Sequence, residues 1–60
     1  MKQWKVITPI AIVYESPSLA SKQLDTIPQG LFVDGTREGQ WVKIEAVGYV
    51  LVRCLEPLGN

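Results

Sequence analysis

Apolar residues arrive along this chain in short runs, each closed by turn-forming residues, the pattern of a small sheet protein. Trp4 to Thr8 (WKVIT) reads as a first strand. Pro9 has no N–H to give a ladder, so the chain should bend or expose an edge there. Ile10 to Tyr14 (IAIVY) is apolar on both faces and rich in β-branched residues, as a buried strand is. Glu15-Ser16-Pro17-Ser18 is a turn, since Pro fixes φ and serines bond back to the backbone. Leu19 to Gln23 reads as a polar loop, and Leu24 to Ile27 as a short, half-buried strand closed by Pro28-Gln29-Gly30.

Leu31 to Val33 opens the next strand. Asp34-Gly35 and Glu38-Gly39 compete to end it. Trp41 to Glu45 (WVKIE) alternates cleanly just afterwards, which favours a long hairpin with its tip near Arg37 to Gly39 and a bulge at Asp34-Gly35. Gly48 to Leu51 is another strand, Val52-Arg53-Cys54 a single 3₁₀ turn, and Leu55 to Leu58 a last short strand disturbed by Pro57. No window sustains a 3.6-residue period, so no α-helix is expected. Five or six strands in one small barrel is the fold predicted. Val6, Ile12, Ile27, Val33, Val42, Ile44 and Val50 should form most of its core, with Trp4 capping one end.

Composition narrows the chemistry. Sixty residues make one domain, and a chain this short leaves about 40% of its unfolded surface exposed after folding. Cys54 is the only cysteine and there is no histidine, so neither a disulfide nor the usual zinc ligand set is available, and no cofactor is expected. Buried structural packing is the reading of Cys54, because no histidine stands ready as its base. Six Lys/Arg balance six Asp/Glu without a run of either sign, which argues against nucleic acid as a partner. The acids show no spacing that forces a catalytic pair together. No secretory signal opens the chain and no apolar run reaches the length of a membrane span.

Ile12 to Ser18 (IVYESPS), Leu24 to Gly30 (LDTIPQG), Gln40 to Ile44 (QWVKI) and Gly48 to Val50 (GYV) follow one another in an order and spacing that resembles bacterial SH3-like domains. The likeness covers roughly Val6 to Leu55. It departs where the family's usual Asn-Val-Arg is Ile12-Val13-Tyr14, where the Gly before Pro is Ser16, where Gln40 precedes Trp41, and where Cys54 stands in place of a frequent tyrosine. The resemblance implies an SH3-like barrel and a recognition role without catalysis. Such domains are often attached to wall-lytic and other envelope proteins, so it points to peptidoglycan or to a protein or peptide partner, in the cell envelope or outside the cell. Other relatives act as packing or assembly modules, which is the alternative here. Cys54 removes an aromatic that a proline-rich ligand would pack against.

Five residues stand out as candidate ligand contacts. Trp41 shares a face with Lys43 and Glu45, opposite Val42 and Ile44, and so points outward. Tyr14 ends its strand where the first long loop begins; its ring is either packed with the hydroxyl in water or open for a ligand to stack on. Tyr49 faces out if Val50 faces in, and Gly48 beside it permits close approach of another backbone. Arg37 and Arg53 would stand at the rim. The first loop, the hairpin tip and the last turn are expected to bring these five together.

Overall fold

The computed structural model describes residues 2–58, and these form seven strands and one 3₁₀ turn. The strands are β1 (Lys2–Val6), β2 (Ile10–Tyr14), β3 (Gln23–Pro28), β4 (Phe32–Glu38), β5 (Trp41–Ile44), β6 (Gly48–Leu51) and β7 (Leu55–Pro57), with the 3₁₀ turn at Val52–Cys54 between β6 and β7. All seven pair antiparallel in a single sheet of order β3-β2-β6-β5-β4-β1-β7. The count exceeds the five or six expected because β3 and β7, weakly signalled in sequence, both pair as full strands, β3 along β2 and β7 along β1.

The sheet coils around one core. Val13 of β2 and Leu55 of β7 lie near opposite ends of the strand order yet belong to the same buried cluster, with Trp4, Val6, Ala11, Val42, Ile44 and Val50. Alternation places most of these. Val42 and Ile44 point inward from β5 while Lys43 points out, and Val50 lies opposite Val42 on β6. Ile27 and Val33 are half-buried against the cluster rather than inside it.

Three expectations need correction. Ile12 is not a core residue: Ala11 and Val13 are fully buried, and Ile12 lies half-buried on the other face of β2. An apolar strand has no polar residue to mark its outer face, and the pleat turned Ala11 inward. Tyr14 is buried directly after Val13 because the β2–β3 register shifts between them, so strict alternation stops there.

Trp4 is a core member, not a cap. It is 3% exposed, and its indole Nε1 donates to the Gly35 carbonyl at 3.0 Å, which satisfies the one polar group a buried indole carries.

No bulge forms at Asp34-Gly35. Gly35 pairs with Lys2 on one side and Ile44 on the other, in unbroken register with its neighbours. Glycine is needed there for space: a Cβ would sit 2.7 Å from both the Lys43 carbonyl oxygen and Val42 Cγ1. The hairpin tip falls at Gly39-Gln40, between the paired Glu38 and Trp41, close to the expected position.

Candidate functional site

Two contiguous clefts lie where the first long loop, the end of β6 and the 3₁₀ turn meet. One, of about 210 Å³, runs between Leu19, Gln40, Leu51, Val52 and Arg53. The other, of about 170 Å³, is lined by Ile10, Ile12, Tyr14 and Cys54 together with the same Leu19, Leu51 and Arg53. The three shared residues make the two clefts one groove, with Arg53 at the junction.

Each wall has a local cause. Leu19 is held at the tip of a loop that its serines fold. Ser21 Oγ reaches the carbonyls of Ser16 and Ser18 at 3.0 and 2.7 Å, Ser18 Oγ accepts from the Ala20 N–H, and the Glu15 N–H donates to the Lys22 carbonyl to close the base. These are the backbone-directed bonds that short hydroxyl side chains favour in turns. The opposite wall is fixed by the Val52 N–H donating to the Gln40 carbonyl at 2.9 Å, which ties the 3₁₀ turn to the hairpin tip. The Ile7 N–H donates to the Cys54 carbonyl, anchoring the other end of the turn.

The structure unites some of the five candidates and separates others. Tyr14 lines the groove, but it is only 7% exposed. Its ring meets Trp41 edge-to-face, centroids 5.4 Å apart and planes at 85°. Trp41 is half-buried beside it and lies opposite Leu51 in the ladder, so it supports the groove from behind without lining either cleft. Tyr49 pairs with Tyr14 on one side and Lys43 on the other and lies outside the groove lining. Gly48 lets β6 approach β2 this closely: a Cβ there would come 2.5 Å from the Tyr14 carbonyl.

Arg53 lines both clefts, whereas Arg37 does not. Arg37 Nε donates to the Gly39 carbonyl at 2.8 Å, bracing the hairpin tip, while Arg53 makes no side-chain hydrogen bond to any described residue. Sequence reasoning pointed to the first loop, the hairpin tip and the 3₁₀ turn without singling out Leu19, and it missed Leu51, Ile10 and Ile12 as groove residues. Cys54, read as buried, is half-buried and contributes to the wall.

Family models, curated proteins and solved structures were all compared with the chain, and none matched. Among the described residues no three His, Cys, Asp or Glu side chains gather as a metal site would require, and no helix is long and apolar enough to cross a membrane. None of the six acidic residues lines the groove. The arrangement offers shape, apolar surface and one guanidinium.

Proposed function

We propose that this chain is a non-catalytic recognition module on an SH3-like barrel, similar to bacterial SH3-like domains, and that it holds a peptide of the cell envelope or of a protein partner. The observation that carries this is the groove over Leu19, Leu51 and Arg53, built from three sequence-distant segments. Support for the barrel comes from connectivity: a loop hairpin (β2–β3) between β1 and β4, a meander β4–β5–β6, then a 3₁₀ turn and a short strand returning to β1. The non-catalytic part rests on the lack of any histidine and on a single thiol with no base in the groove. Sugar recognition by stacking needs open aromatic faces; Tyr14 is buried and packed on Trp41, which favours the peptide side of an envelope polymer over its glycan.

The test is a titration of the ¹⁵N-labelled chain with soluble peptidoglycan fragments, alongside pull-down on purified peptidoglycan. Amide shifts centred on Leu19, Leu51 and Arg53 are expected. Shifts centred on β4 or β1 would overturn the placement.

A second reading has its own observation. Ile7, Leu31 and Phe32 are 43%, 50% and 60% exposed. They lie around the end of β1 and the start of β4, where Phe32 pairs with Lys5 and the Leu31 carbonyl accepts from Val6. Apolar surface of this kind suits an assembly protein packed against another subunit or domain. Self-association in sedimentation velocity, abolished by Phe32→Ser and unaccompanied by wall binding, would favour it.

A further inference from the structure

We infer that the groove's occupant is an extended peptide segment carrying an internal Asp or Glu flanked by aliphatic side chains at alternate positions. The inference rests on the groove being the recognition site proposed above and deepens it.

Three observations converge. The groove lining is aliphatic over most of its length, and two of its members, Ile10 and Leu19, are 58% and 63% exposed. Apolar side chains so open gain from being covered by apolar side chains of a partner.

The only charge on the lining is Arg53; Gln40 and the largely buried Tyr14 are its other long side chains with a polar end. In a chain of net charge zero, a groove with one guanidinium and no carboxylate is locally cationic. The Arg53 side chain makes no hydrogen bond to a described residue, and its guanidinium can donate to both oxygens of a carboxylate in the planar geometry it prefers. A basic peptide, by contrast, would face Arg53 with no acid to offset it.

The position of Arg53 selects between kinds of carboxylate. It lines both clefts, whose aliphatic members are Leu19, Leu51 and Val52 in one and Ile10, Ile12, Leu19 and Leu51 in the other. A chain-terminal carboxylate bound there would leave one cleft empty, whereas an internal acid lets the peptide run through both. In an extended peptide, residues i−2, i and i+2 share one face. An acid at i therefore meets Arg53 while aliphatic side chains at i−2 and i+2 enter the two clefts.

The test uses synthetic peptides on the intact chain. N-acetylated, C-amidated Leu-Ser-Glu-Ser-Leu is titrated against the ¹⁵N-labelled protein, with Leu-Ser-Gln-Ser-Leu as its neutral isostere and N-acetyl-Ser-Leu as a probe of a terminal carboxylate. The expected result is shifts at Leu19, Leu51 and Arg53, with the Glu peptide binding at least about tenfold tighter than the Gln peptide. Arg53→Gln, at an exposed position that leaves the fold intact, should abolish that difference while preserving weak binding of both. Raised salt should weaken the Glu peptide alone. Equal binding of the Glu and Gln peptides at the groove would overturn the acidic preference while leaving the groove as the recognition site. Tighter binding of the terminal carboxylate would overturn the internal register. If none of the peptides moves a groove resonance while peptidoglycan fragments shift the opposite face, the groove reading itself fails.

Discussion

Gly35→Ala tests the packing of the sheet at its tightest point. The added methyl would lie 2.7 Å from the Lys43 carbonyl oxygen, 2.7 Å from Val42 Cγ1 and 3.0 Å from Ile44 Cδ1. Val42 and Ile44 can rotate only into a core that is already filled, and the carbonyl belongs to the neighbouring strand and cannot yield alone. Overpacking of this kind costs about 1–3 kcal/mol, and the rigidity of the contacting groups places Gly35 at the upper end. Replacing glycine in a strand returns about 0.5–1 kcal/mol, so the net loss is about 2 kcal/mol. A 60-residue domain has about 3–9 kcal/mol in all, and the substitution removes a large part of it. In thermal unfolding followed by far-UV circular dichroism, Tm should fall by about 8–16 °C. Thr36→Ala, one residue along the same strand but exposed, is the control and should stay within about 0.5 kcal/mol of the parent. A Gly35→Ala chain that melts within two or three degrees of the parent, or a Thr36→Ala chain that melts lower, would refute the close approach of β4 and β5.

Trp4→Phe should destabilise the chain by about 1–3 kcal/mol in urea titration, because the buried Gly35 carbonyl loses the indole N–H that reaches it; no change would show that water satisfies it as well. Ala46 holds φ 62 in the turn between β5 and β6, a left-handed conformation that costs a non-glycine residue about 1–2 kcal/mol. Ala46→Gly should therefore raise the urea midpoint, and a lowered midpoint would contradict that turn geometry. Iodoacetamide should alkylate Cys54 more slowly in the folded chain than in urea, and more slowly still with a peptide seated in the groove, since the residue forms part of its wall. Equal rates in the two states would place the thiol fully in solvent.

Where polar residues interrupt the apolar ones, the sequence was readable. Lys43 between Val42 and Ile44 fixed the inner face of β5, the serines after Tyr14 announced their loop, and the 3₁₀ turn at Val52–Cys54 stood where expected. Ile10 to Tyr14 lacked such a marker, and its inner face went to Ala11 and Val13. Trp4 was misread because what holds it is a carbonyl 31 residues away, invisible to any local pattern. Asp34-Gly35 carries a strong turn preference that tertiary pairing overrides: with β1 on one side and β5 on the other, the dipeptide is held extended by two ladders. The groove was half legible. Tyr14 and Arg53 do line it together, but Leu19 and Leu51 become neighbours only when the loop folds over β6, and no spacing in the chain announces that.

Lys2 to Val6 lies between the strand at mid-chain and the last strand, with Trp4 facing Pro57 and the Leu58 N–H donating to the Gln3 carbonyl at 3.0 Å. The two ends of the described chain therefore leave from one corner. A unit built this way can be spliced into a surface loop of a host protein without prising that loop apart, much as a cassette fits a single slot. It also tolerates relocation of its ends: a few flexible residues joining positions 2 and 58, with new ends opened in the exposed turn at Ala46, would leave every ladder intact. Such a permuted chain would carry the same groove while presenting it to a host from a different direction.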